Sequence, residues 1–176
     1  MNEVILVDEN DVAIGRMDKM EAHEKALLHR AFSIFIFNRQ GEMLLQQRSD
    51  SKYHSAGLWT NACCSHPSPG ENTAAAAARR LKEELGFETQ LKPLFTFTYR
   101  TEFENGLTEN EFDHVFTGVY DGRIVADENE VKKFLYMPMD KIERLIASEP
   151  AKFTAWFVIA FPEIKKWMAK RPGDLI

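Results

Sequence analysis

The sequence predicts an α+β domain, with strands layered against segregated helices, on three observations. Short runs rich in β-branched and aromatic residues fill much of the first two thirds of the chain. One helix with an apolar stripe interrupts them, and the last third reads as helix. With 176 residues and no repeat, low-complexity tract or long linker, residues 1–176 are read as one domain with a full core.

The elements follow in order. Residues 4–7 form the first strand, and Asn10-Asp11 turns the chain. Residues 31–37 (Ala-Phe-Ser-Ile-Phe-Ile-Phe) are strongly strand-like; Arg39-Gln40-Gly41 turns them into residues 43–47, a hairpin. Residues 58–63 are a further strand. Ser68-Pro69-Gly70 breaks the pattern before a helix over residues 73–85, which Gly86 stops. Strands are expected near residues 94–100 and 114–120, then helical segments near 139–147, 153–161 and 163–169.

Composition excludes several classes. At 44% hydrophobic and 28% charged residues, the chain reads as soluble and globular. The longest apolar stretch near the end, residues 154–161, is too short to cross a bilayer. Met1-Asn2-Glu3-Val4 lacks the basic start and apolar run of a secretory signal, so a cytoplasmic location is expected. A formal net charge of −5 gives no general attraction to nucleic acid or to acidic membranes. An anionic ligand therefore needs a local basic cluster. The two cysteines, Cys63 and Cys64, are adjacent and do not make a disulfide scaffold. They are buried filler or chemistry.

On the helix, a 3.6-residue period places Ala74, Ala78, Leu81 and Leu85 on one stripe expected to face the core. Glu84 borders it, with Arg80 four residues earlier, while Glu83 and Arg79 fall on the solvent side. Two i,i+4 ion pairs worth a few tenths of a kcal/mol account for Arg79 and Glu83. A carboxylate bordering the core, such as Glu84, usually needs a partner or a metal.

This helix resembles the Nudix signature G-x5-E-x7-R-E-U-x-E-E-x-G-U, U being aliphatic. Glu71, Arg79, Leu81, Glu83, Glu84, Gly86 and, loosely, Phe87 match it. Ser65 replaces the first Gly, and Arg80 replaces a Glu of the family's metal cluster. The resemblance implies a Nudix-type mixed β-sheet layered with helices, and it weakens a hydrolase reading.

Residues 59–67 (Trp-Thr-Asn-Ala-Cys-Cys-Ser-His-Pro) resemble the T-N-x-x-C-x-H-P signature of type 1 isopentenyl-diphosphate isomerases. Residues 28–33 resemble that family's L-H-R-A-F-S block and Glu109-Asn110-Glu111 its E-x-E motif, with Tyr99-Arg100 ten residues upstream. The blocks fall in the right order over nearly the whole chain, which makes chance agreement very small. The residue types fit without the family. His23, His29 and His66 supply imidazoles, and Glu109 and Glu111 project to one face of an extended segment. Five mixed N/O ligands suit a divalent ion, Mn²⁺ or Mg²⁺, with Zn²⁺ a third option. His54 and His114 match no motif and are read as structural.

The reaction that the resemblance implies isomerises isopentenyl diphosphate to dimethylallyl diphosphate, in isoprenoid biosynthesis. One alkene carbon is protonated and another deprotonated, through a carbocation-like intermediate. By resemblance, Cys64 and Glu111 carry the two protons, and the metal holds Glu111. Glu111 donates only if neutral, and a bound cation opposes that. One solution binds metal through one oxygen while the other carries the proton, hydrogen-bonded to Tyr99. Trp156 matches the family's active-site tryptophan, whose ring face stabilises a cation by about 2 kcal/mol when desolvated. Lys19, Arg48, Lys52 and Arg80 match phosphate-binding positions, and Glu84 a ligand for a second Mg²⁺ carried with the diphosphate. Arg80 puts a cation that clamps phosphate where a hydrolase keeps a carboxylate. No flavin is implied, and a monomer is compatible with the reading. Ala56, where the family usually has Pro, frees its loop slightly and removes no reactive group. Two rivals remain: a Nudix pyrophosphohydrolase acting on a nucleoside diphosphate derivative, which leaves Cys64 without a task, and a non-catalytic Nudix binding module, which would be expected to have lost metal ligands.

Overall fold

In the computed structural model, which describes residues 3–170, the chain opens with an antiparallel hairpin of β1 (Glu3–Val7) and β2 (Ala13–Asp18). Asp18 caps the short helix α1 (Lys19–Glu24), its carboxylate accepting from the Met20 and Glu21 amides at 2.9 and 3.3 Å. β3 (His29–Phe37) and β4 (Met43–Arg48) follow, then β5 (Trp59–Thr60) and β6 (Cys63–Ser65). After the helix α2 (Thr73–Leu85) come β7 (Lys92–Glu102), β8 (Thr108–Val119) and β9 (Val131–Met137). The helices α3 (Met139–Ser148) and α4 (Ala155–Lys170) complete the described chain.

The nine strands form one mixed sheet centred on β3. β8 runs parallel to β3 from His29↔Glu111 to Phe37↔Val119, and β6 runs antiparallel to it with Ser33 opposite Cys64. β7 pairs antiparallel with β8, placing Tyr99 opposite Glu111. Because side chains alternate along a strand, this register sorts residues between two layers. Phe32, Ile34 and Ile36 of β3, Phe116 of β8 and Cys63 pack on one side with Ala76, Ala77, Leu81 and Leu85 of α2. Phe35, Phe37, Val115, Tyr99 and Cys64 pack on the other with Trp156, Phe157, Phe161 and Ile164 of α4. The architecture is the α+β arrangement expected, with a mixed sheet between helices.

Several local expectations are corrected. The buried stripe of α2 runs through Ala77, Leu81 and Leu85, while Ala74 and Ala78 are exposed. A run of alanines carries no phase of its own, so the i,i+4 spacing of the two leucines sets it and selects Ala77. The strand expected over residues 58–63 is two strands, β5 and β6. Between them the Asn61 amide donates at 3.0 Å to the carbonyls of both Ile34 and Cys63, replacing the ladder. The helical segments expected near 153–161 and 163–169 are one helix, α4, with Pro162 inside it. The missing amide of Pro162 normally breaks a helix; here Phe157, Phe161 and Ile164 bury both halves in one core.

Gly86 closes α2 at φ 73°, and a Cβ built there would stand 2.3 Å from the Val125 carbonyl oxygen. Gly86→Ala is expected to destabilise the fold by about 2 kcal/mol or more, through left-handed strain plus the clash. Urea denaturation measures it; a loss below about 0.5 kcal/mol would sink this account of the turn.

Candidate functional site

Three elements bring imidazoles to one point. α1 carries His23, the first residue of β3 is His29, and His66 follows β6. With Glu111 of β8 they form a group whose potential ligand atoms all lie within 4.8 Å of one another. His29 Nδ1 lies 2.8 Å from the Leu27 carbonyl and its Nε2 3.5 Å from Glu111 Oε1; burial opposes ionisation of His29, yet Glu111 raises its pKa above the ordinary value. Both ring nitrogens of His23 are buried and without hydrogen-bond partners. Burial, with His66 and His29 alongside, pushes His23 down to about 3, and burial takes His66 down to about 4. Burial opposes ionisation of Glu111, yet His29 and His66 hold its carboxyl well below the usual range. Imidazoles around a carboxylate are the donor set a divalent ion takes, and the orphaned nitrogens of His23 fit that use.

Glu109 lies beside this group and not within it. Tyr99 donates from one hydroxyl towards Glu109 Oε2 at 2.9 Å and Glu111 Oε2 at 2.6 Å. The other Glu111 oxygen, Oε1, meets His66 Nε2 at 2.8 Å. The two oxygens of Glu111 thus serve different sides, one the imidazoles and one the phenol.

The other Glu109 oxygen meets His54 Nε2 at 2.9 Å. His54, expected to be structural, is a buried wall of the site. Its ring stacks on Phe103 at 4.6 Å and stands edge-on to Trp156 at 6.0 Å. It comes from the loop between β4 and β5, whose fold gives it no periodic signal; only its neighbours in space identify it. His114, by contrast, pairs with Asp11 at 2.9 Å, in keeping with a structural role.

Cys64 Sγ lies 3.0 Å from Asn61 Oδ1 and 3.4 Å from Ser33 Oγ. Burial, then the charge of Asp113, pushes its thiol far above the ordinary value. Cys63, its neighbour, faces α2 and is fully buried. Cys64, Tyr99, Glu109, Glu111, His66, Trp156, Lys19 and Arg48 all line one pocket of about 30 Å³.

The basic residues divide between two places. Lys19 and Arg48 line the pocket, Lys19 over the Tyr53 ring at 5.0 Å and the Arg48 guanidinium over Trp156 at 5.3 Å. Arg48 Nε and Trp156 Nε1 are buried donors without hydrogen-bond partners. Lys52 and Arg80 sit outside its lining, joined through Glu130, which pairs with Lys52 and with Arg80 at 3.2 Å. Glu84 is on the α2 side of the sheet, accepting from Arg80 at 2.7 Å and from Gln46 at 3.0 Å. Arg79 pairs with Glu83 at 3.2 Å, as spacing requires, and also with Glu71 at 2.8 Å.

The family model described as NUDIX domain matches residues 27–157. The isopentenyl-diphosphate Delta-isomerase of Pectobacterium atrosepticum is 49% identical over 170 residues, covering 96% of this chain and 95% of that protein. The isopentenyl-diphosphate Delta-isomerase of Serratia proteamaculans is 46% identical over 169 residues, 93% of this chain and 94% of that one. Among solved structures, DR0079 from Deinococcus radiodurans superposes with a TM-score of 0.76 at 20% identity, over 92% of this chain and 98% of that one. A C. elegans Ap4A hydrolase superposes at 0.58 with 20% identity, over 80% and 98%. At such identities the structural likeness speaks to the fold alone.

Proposed function

The chain belongs to the NUDIX-domain family and, within it, to the isopentenyl-diphosphate Delta-isomerases, and we propose on that premise that it interconverts isopentenyl and dimethylallyl diphosphate through Cys64 and Glu111. The observation that carries the residue roles is that a thiol and a phenol-bound carboxylate open on one small pocket. Each turnover gives one proton to the substrate and takes one away, so two such groups are what the chemistry needs. Tyr99 has one proton for two carboxylate oxygens, and this junction can accept a second proton beside Glu111 Oε2.

A divalent ion, Mn²⁺ or Mg²⁺ with Zn²⁺ a third option, would be held by His23, His29, His66 and Glu111, with Glu109 adjacent. When bound, it supplies fixed positive charge that anchors the Glu111 carboxylate. Lys19 and Arg48 take the diphosphate, with Arg48 Nε a ready donor, and Lys52 and Arg80 flank them. Glu84 would ligate a second Mg²⁺ arriving with the diphosphate, exchanging its bonds to Arg80 and Gln46. Trp156 offers an aromatic surface to the developing cation.

About 30 Å³ holds roughly one water. A five-carbon diphosphate therefore needs the pocket lining to give way, and the buried surroundings of Cys64 and Glu111 keep out water that would capture the cation. Among the described residues no helix is long and apolar enough to cross a membrane, and the proposed substrate is water-soluble.

NMR of the protein with isopentenyl diphosphate and Mg²⁺ or Mn²⁺, without flavin or nicotinamide, tests the reading. Methyl signals of dimethylallyl diphosphate are expected, with both phosphorus signals retained. Release of inorganic phosphate, or no change, would overturn it.

A further inference from the structure

Cys64 is gripped from two sides. On one, Thr154 donates to Thr60 Oγ1 at 2.9 Å, Thr60 donates to Asn61 Oδ1 at 2.9 Å, and that oxygen accepts from Cys64 Sγ at 3.0 Å. On the other, Ser33 stands directly opposite Cys64 in the β3–β6 ladder, its Oγ 3.4 Å from the sulfur. Ser33 Oγ donates at 2.6 Å to Asp113 Oδ2 on β8. Ser33 and Asp113 are each 1% exposed, and Asp113 Oδ1 has no hydrogen-bond partner.

A carboxyl buried with half its bonding capacity unused is a cost to folding that an apolar side chain of similar shape would avoid. Its effect is local. Held 2.6 Å from Asp113 Oδ2, the Ser33 hydroxyl loses its freedom to rotate and keeps its oxygen beside the sulfur. The sulfur is then held between two oxygens, Asn61 Oδ1 and Ser33 Oγ, with its S–H direction and its position over the pocket restricted.

Resting on the role given to Cys64 above, we propose that Ser33, braced by Asp113, is a positioning residue that aims the Cys64 sulfur at the reacting carbon. A proton-transfer group displaced by a fraction of an ångström loses rate without losing substrate affinity. The pair therefore acts on kcat and leaves KM alone.

Three variants test it: Ser33→Ala removes the oxygen, Asp113→Leu removes the brace, and Asp113→Asn keeps an oxygen that accepts the Ser33 proton. Ser33→Ala and Asp113→Leu are expected to lower kcat about tenfold with KM within about twofold, and Asp113→Asn to stay within about threefold of the parent. Asp113→Leu should shift the melting temperature by no more than about 3 °C, because relief of a buried, half-satisfied carboxyl offsets the Ser33 hydroxyl it leaves unpaired. The deuterium isotope effect should rise at one of the two reacting carbons only, the one Cys64 serves. Independently of turnover, the rate of Cys64 alkylation by iodoacetamide, located by peptide mass spectrometry, should change at least about threefold in Ser33→Ala.

Parent-like kcat in folded Ser33→Ala or Asp113→Leu overturns the proposal. So does a kcat loss in Asp113→Leu that tracks a falling melting temperature and is not rescued by Asn. An unchanged alkylation rate also overturns it, and this result is readable even if the parent protein shows no isomerisation, which would instead remove the isomerase reading.

Discussion

Cys64→Ala is expected to lower kcat by about a hundredfold to ten-thousandfold while shifting the melting temperature by less than about 3 °C. The first figure follows from losing a proton-transfer group, worth about 10²–10⁴ in rate. The second follows from position: Cys64 is only partly buried and faces the pocket, so its removal opens little new void in the core. Cys63→Ala is the matched control. Cys63 is 0% exposed and packed among Leu81, Leu85 and Phe32, so its loss costs roughly 1 kcal/mol of stability and leaves kcat near that of the parent. The pair of variants thus separates the two thiols, one through rate and one through stability. Steady-state kinetics and thermal melts on both decide the point. Activity above a few per cent in Cys64→Ala would remove the thiol from the reaction.

Stripping divalent metal with a chelator is expected to abolish activity and lower the melting temperature together. An ion present at about a hundred times its Kd stabilises the fold by about 2.7 kcal/mol, or about 5–10 °C for a domain of this size. The motive is the cluster itself. Three imidazoles, His23, His29 and His66, crowd around Glu111 with ring centroids 5.0–6.0 Å apart, and the His23 nitrogens have no hydrogen-bond partner. Readdition of Mn²⁺ or Mg²⁺ should restore both quantities, and calorimetry alongside the NMR assay reads them. A chelated protein that melts and turns over like the untreated one would dismiss the metal role of these residues.

How much of this was legible in the sequence varied with the kind of signal. The helix α2 could be bounded to the residue because both ends carry local chemistry, Asn72 accepting from the Ala74 and Ala75 amides and Gly86 turning left-handed. Its rotational phase could not be read from the alanines. β2 and β9 left no clear mark because neither alternates in burial: β2 is almost wholly exposed, and β9 is buried only at Val131. Both exist through pairing, β2 with β1 and β9 with β4. α1 hides in a short polar stretch although it delivers Lys19 and His23.

At the site, motif residues converged where their strands demanded it. His29, Glu111, Tyr99 and Cys64 meet because β3, β8, β7 and β6 are neighbours. Lys52, Arg80 and Glu84 matched motif positions equally well but lie outside the pocket's lining, held by Glu130 and Gln46, residues no motif named. His54 went unread for the opposite reason. A loop residue enters a site through backbone path and stacking, and Phe103 stacks on it from forty-nine positions away in the sequence.

The alternation along β3 bears on how such a protein tolerates change in length. Phe32, Ile34 and Ile36 of β3 and Phe116 of β8 look towards α2, while His29, Ser33, Phe35 and Phe37 of β3 and Glu111 and Val115 of β8 look towards the site and the α4 layer. Inserting or deleting one residue within β3 would exchange these roles over the altered part of the strand. Phenylalanine and isoleucine would be driven into the pocket, and Ser33 into oil. A two-residue change would preserve the faces and only shift the register along β8. Length variation should therefore be confined to the turns at either end of β3, where the chain can grow without inverting a strand that is at once a core wall and the floor of the site.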